Sequence, residues 1–105
     1  MFYQFNTKAD LSKLPSTFPL YECIAAKLEL MDFEGSEGCI LLAETVADLD
    51  AVRGIINIDT HPCEWAEYAD KDHQYMLAVY QLNNDYGVDM YLPLAITPDN
   101  IKEEL

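Results

Sequence analysis

Apolar residues along the chain fall into short periodic groups separated by turn-forming ones. Leu20, Ile24, Leu28 and Met31 recur at three and four residues, which gathers them on one face and predicts a helix over about residues 18 to 31. A strand over Ile24 to Phe33, turning through Glu34 to Gly38, competes for the same stretch, because short apolar segments are ambiguous by periodicity. Upstream, Phe2 to Phe5 is aromatic and partly alternating, which predicts a first strand, followed by loop as far as Pro19.

The passage from Cys39 to Asp59 carries the clearest signals. The apolar run Cys39 to Ala43 predicts a buried strand, and Thr45-x-x-Asp48 matches a helix-opening signature in which each side chain satisfies an exposed backbone N–H. Val46, Leu49 and Val52 form the apolar stripe of that short helix, Gly54 suits a left-handed stop, and Ile55, Ile56 and Ile58 predict a second buried strand. Strand, helix and strand make a right-handed βαβ unit. Asp59-Thr60-His61-Pro62 then predicts a short helical turn with Trp65, Tyr68 and Ala69 on one side, closing in solvent at Asp70 to Asp72.

Tyr75 to Leu82 and Val88 to Leu92 flank Asn83-Asn84-Asp85-Tyr86-Gly87, whose residues tolerate left-handed conformations, so a β-hairpin is expected. In its second arm Val88, Met90 and Leu92 alternate with Asp89 and Tyr91, which predicts one packed face and one wetter face. Pro93 suits a strand end, Thr97-Pro98 a helix start, and Ile101 to Leu105 a last turn. The expectation is one α+β domain over residues 1–105. It has a mixed sheet of about five strands, one βαβ unit, a C-terminal β-hairpin and two or three short helices.

Charge changes this picture more than any motif does. Nineteen Asp and Glu against six Lys and Arg leave a net charge of −13 on 105 residues. No basic residue lies between Lys27 and Arg53, and only Lys71 lies between Gly54 and Ile101. Phosphate backbones and anionic lipid would be repelled, so direct nucleic-acid or membrane binding is not expected. A basic protein would be steered in, and an acidic surface with interspersed tyrosines suits the nucleic-acid groove of such a partner. The plainer account is that surplus carboxylates keep the protein soluble.

Candidate chemistry comes from topology. Glu44 follows the first strand of the expected βαβ unit, and Asp59, His61 and Cys63 follow the second, so all four would gather beyond the carboxyl ends of parallel strands. A carboxylate beside an imidazole and an imidazole beside a thiol could activate Cys63, although no catalytic signature surrounds it. A half-buried thiol and a turn-capping histidine explain the same residues. A metal would recruit His61, His73 and one of Asp59, Glu44 or Asp72, but no H-x-x-x-H spacing fixes them on one face. No cofactor fingerprint occurs, and no residue is assigned a catalytic role.

The remaining signals concern surfaces and compartment. Tyr86 and Tyr91 with Asp89 on the hairpin, and Asp48 and Asp50 on the expected helix, are the candidate partner-binding residues. Core tyrosines, or a homodimer formed through the hairpin, would use the same aromatics. Three cysteines without a C-x-x-C pair, and no basic-then-apolar leader among Met1 to Asp10, lead to an expectation of reduced thiols in a cytoplasmic protein. The leading expectation is a non-enzymatic binding or regulatory module. A small enzyme or metal-binding domain around Glu44, Asp59, His61 and Cys63, and a homo-oligomeric structural protein, are the alternatives.

Overall fold

The chain forms an α+β domain around a mixed five-stranded sheet, and the computed structural model describes residues 2–35 and 37–105. The strands are β1 (Tyr3–Phe5), β2 (Glu37–Leu42), β3 (Trp65–Tyr68), β4 (Tyr75–Gln81) and β5 (Tyr86–Pro93), in the spatial order β1-β2-β5-β4-β3. Only β2 and β5 run parallel, with Glu37 opposite Tyr86 and Leu42 opposite Tyr91; the other neighbours are antiparallel. Helix α1 (Tyr21–Glu34), with a 3-10 turn at Lys8–Lys13, lies on one face, and α2 (Val46–Arg53) and α3 (Asp99–Lys102) pack on the other.

Helix α1 settles the ambiguity of residues 20–34. Gly35 takes the left-handed conformation at φ 66° and its N–H closes the last turn, so the chain stays helical three residues past the expected end. Ile24 and Leu28 are buried against Phe5, Ile40, Leu42, Leu77 and Tyr91. Each of these side chains contributes about 1.5–3 kcal/mol by leaving water. On the face of β4 and β5 expected to be wetter, Tyr75, Val79 and Asp89 are half-buried, whereas Met76, Ala78, Tyr80, Val88, Met90 and Leu92 of the other face are buried. Tyr91, expected on that wetter face, is fully buried beneath α1, because the Ile24 and Leu28 stripe of the helix covers that part of the sheet.

The strand–helix–strand arrangement is present, since β2 and β5 are parallel and α2 lies in their connection, but the returning strand is β5. Ile55, Ile56 and Ile58 form no strand. The N–H groups of Ile55 and Ile56 bond to the Val52 carbonyl, those of Thr60 and His61 to the Asn57 carbonyl, and Asp59 N–H to the Asn57 side chain. Local turns thus use the donors that a ladder would need. Ile56 and Ile58 still plug the core from this loop, which Asn100 pins by donating to the Ile58 carbonyl at 2.8 Å. Gly54 keeps a right-handed φ of −74°, because the helix unwinds through a further turn and does not stop at a left-handed residue.

The other correction is at residues 59–69, where the expected helical turn is a loop leading into β3. Its aromatic and β-favouring residues pair with β4, Trp65 opposite Val79 and Tyr68 opposite Met76. The turn into β4 is organised by Asp70, whose carboxylate accepts from the N–H groups of Gln74 and Tyr75 at 2.7 and 3.3 Å, with His73 at a positive φ of 57°. The C-terminal hairpin forms as expected between β4 and β5, with a connection of residues 82–85. Pro93 ends β5 and Pro98 precedes α3.

Candidate interaction surface

The four residues expected to converge are divided between the two ends of the sheet. Glu44 follows β2 at the end where β4 begins, close enough for its charge to act on Tyr75. His61 lies at the far end of β4, its Nε2 3.3 Å from the Gln81 carbonyl and its ring 5.9 Å from that of Tyr80. Tyr75 and Gln81 bound a seven-residue strand, so about 20 Å separates the two environments. Asp59 is held by the Arg53 guanidinium at 2.9 Å, and Arg53 also reaches Asp50 at 2.9 Å.

Cys63 does stay near His61 and Asp59, since Cys63 and Asp59 both act on Tyr80. Its chemistry runs opposite to that of a nucleophile. The thiol donates to the Trp65 carbonyl at 3.0 Å, and burial pushes its pKa up. Burial also raises the Cys39 thiol, with Asp89 adding to the shift and a hydrogen bond to Tyr86 opposing it. Neither thiol has the electropositive, accessible surroundings that thiolate chemistry needs. All three cysteines are free.

The imidazoles are separated as well, with His61 beside Gln81 and the His73 ring tilted against that of Tyr68, 4.4 Å between centroids, at the β3–β4 turn. Among the described residues no group of three or more His, Cys, Asp or Glu side chains could hold a metal ion. A hollow of about 600 Å³ at the start of β2 and β5 is rimmed by Glu37, Asp85, Asp89 and Asn84, with Cys39 at its wall. Among the described residues no Lys or Arg lines it, so its rim offers no cation to pair with a phosphate or carboxylate.

The residues expected to meet a partner have mixed fates. Asp50 stands in solvent beside Arg53. Asp48 is half-buried and accepts from the N–H groups of Glu44 and Thr45 at the start of α2, the reciprocal cap read from Thr45-x-x-Asp48. Tyr86 is half-buried over Cys39, Asp89 is paired with Lys27, and Tyr91 is inside.

A surface that the sequence reading missed lies on the outer side of α1. Leu30 is 51% and Phe33 88% exposed, and with Ala25, Ala26 and Glu29 they line a shallow groove of about 510 Å³. The available signal was a second apolar stripe, Ala26, Leu30 and Phe33, at spacings of four and three, offset from the Ile24 and Leu28 stripe that faces the sheet.

Comparison with protein-family models, with curated proteins and with solved structures finds no match for the chain. Among the described residues no helix is long and apolar enough to cross a membrane.

Proposed function

We propose that this chain is a non-enzymatic binding or regulatory module that engages a protein partner through its acidic surface, the partner being basic, as a nucleic-acid-handling enzyme is. The observation that carries this reading is the use of the protein's own cations. Lys8, Lys13, Lys27 and Arg53 each sit within ion-pair distance of a carboxylate of the same chain. Two further basic residues, Lys71 and Lys102, face the rest of a nineteen-carboxylate complement, so the field presented outward is negative. The protonated, buried thiols and the separation of Glu44 from His61 argue against chemistry at the sequence-derived site. Three free cysteines support a reducing compartment such as the cytoplasm.

The experiment is retrieval of partners by the native protein from its host at low salt, followed by affinity measurement across ionic strength. A basic partner whose affinity falls steeply with added salt is expected. Recovery of no partner, together with no salt-sensitive affinity for basic proteins, would remove the reading.

A further inference from the structure

We propose that the outer groove of α1 is the docking site for a basic amphipathic helix of the partner, an assignment that rests on the partner-binding reading above. Helix α1 is apolar on two sides. Ile24 and Leu28 serve the sheet, whereas among the described residues Ala26, Leu30 and Phe33 belong to neither core cluster, and Phe33 is the most exposed large apolar side chain. Ala25 and Ala26 keep the floor of the groove low, and Leu30 and Phe33 stand beside it. That relief, repeating at i, i+4 and i+7, is one against which a second helix packs its own apolar stripe.

The charge around the groove identifies the occupant. On the helical wheel Glu22 and Glu29 run along one flank of the stripe, and Glu34 and the Lys27–Asp89 pair along the other. A helix with apolar residues at the same spacing and Lys or Arg beside them would bury Leu30 and Phe33 while setting its cations over these carboxylates. Lys8 already lies 3.4 Å from Glu29, but both side chains are largely solvated and such a pair is readily exchanged. A second copy of the chain is the poorer occupant. Stacking two such faces brings Glu22, Glu29 and Glu34 against like charges on molecules of net charge −13.

The probes are two peptides of about the length of α1, roughly 20 Å. One is a Lys/Leu amphipathic helix and the other its Glu/Leu counterpart, both titrated into 15N-labelled full chain. Amide shifts confined to α1 are expected with the Lys/Leu peptide alone. Affinity should weaken at least about tenfold in the Leu30→Ser/Phe33→Ser double variant and stay within about twofold in Val46→Ser, which alters a 63% exposed apolar residue on α2. Shifts elsewhere, with the double variant binding as wild type, would overturn the docking site and leave the acidic reading standing. Absence of any response to the basic peptide would overturn the docking site, and the acidic reading would fall with it only if the retrieval of partners at low salt also failed. Concentration-dependent self-association that the double variant abolishes would replace the proposed occupant with a second copy.

Discussion

Lys27, near the middle of α1, places its Nζ 3.2 Å from Asp89 Oδ2 in the middle of β5, with the two side chains 32% and 21% exposed. This pair ties the helix to the sheet beside Ile40 and Val79, the residues that flank Asp89 on the neighbouring strands. Its setting is intermediate between exposed pairs, worth about 0–1 kcal/mol, and buried ones, whose disruption costs about 3–5 kcal/mol. A double-mutant cycle with Lys27→Met and Asp89→Asn should give a coupling of about 1 kcal/mol by urea denaturation, shrinking in high salt. A coupling of zero at low salt would mean that the contact is incidental.

Two buried tyrosines should respond oppositely to the loss of their hydroxyl. Tyr80 is fully buried and its Oη has no hydrogen-bond partner among the described residues, whereas Tyr91 Oη lies 3.4 Å from Cys23 Sγ in a hydrogen bond. Tyr80→Phe removes an unpaired polar group and is expected to be neutral or stabilising by up to about 1 kcal/mol. Tyr91→Phe is expected to cost about 0.5–1 kcal/mol. Thermal unfolding of the two variants side by side checks the order, and the reverse order would contradict these environments.

The glycines at the end of α1 and the start of β2 do different jobs. Gly35 is left-handed but a side chain there would meet open space, so Gly35→Asn should cost less than about 1 kcal/mol and Gly35→Ala about 1–2 kcal/mol. At Gly38 a Cβ would overlap the Gly87 carbonyl oxygen, which is backbone and cannot swing aside. Gly38→Ala is therefore expected to cost about 3 kcal/mol or more, through displacement of β2 from β5. Chemical denaturation ranks the three, and a mild Gly38→Ala would show that the two strands can part without penalty.

Acid stability should carry the mark of Asp10. The backbone N–H groups of Asn6 and Thr7 donate to its carboxylate at 2.7 and 3.0 Å, and with Lys13 they hold its pKa below the usual 3.8. A depressed carboxyl contributes stability that is present above its unfolded pKa and is lost as pH falls through the folded one. Stability of the wild type and of Asp10→Asn should differ at pH 7 and converge as pH drops below about 3.8. Curves that stay parallel through that range would exclude this source.

What was legible in the sequence was whatever local chemistry decides. Thr45-x-x-Asp48 opened a helix as its side chains require, and the Asn-rich segment after β4 made a hairpin. The same Thr-x-x-Asp pattern at Thr7 and Asp10, in a stretch expected to be loop, caps a 3-10 turn. The misses are tertiary. Ile55, Ile56 and Ile58 are as apolar as a strand, but Asn57 turns the chain, and the partner of β2 came from β5 instead. Trp65 to Tyr68 joined the sheet because Asp70 and a left-handed His73 bend the chain back, a hairpin that has no Asn-Gly or Asp-Gly to announce it. Glu44 is parted from Asp59, His61 and Cys63 because residues 55–58 form a loop and not a strand parallel to β2. The exposed side of α1 carries Ala26, Leu30 and Phe33 at the same helical spacing as a core stripe, and spacing alone does not tell a covered face from an open one.

The single parallel pairing among the described strands has a kinetic consequence. Glu37 meets Tyr86 across 49 positions of chain, whereas β1 pairs with β2 alongside the α1 layer and β3, β4 and β5 are joined by short turns. Closing a loop of that length costs about 3 kcal/mol from its logarithmic dependence on length alone. Because Phe5 meets Ile40 across 35 positions, at nearly the same cost, the β3–β4–β5 meander is expected to organise first and β2 to join it late, with core truncations in β2 such as Leu41→Ala giving lower φ-values than Met76→Ala in β4. The seam where Gly38 lies against Gly87, with no room left for a Cβ, is then one that the chain closes late on its way to the native state.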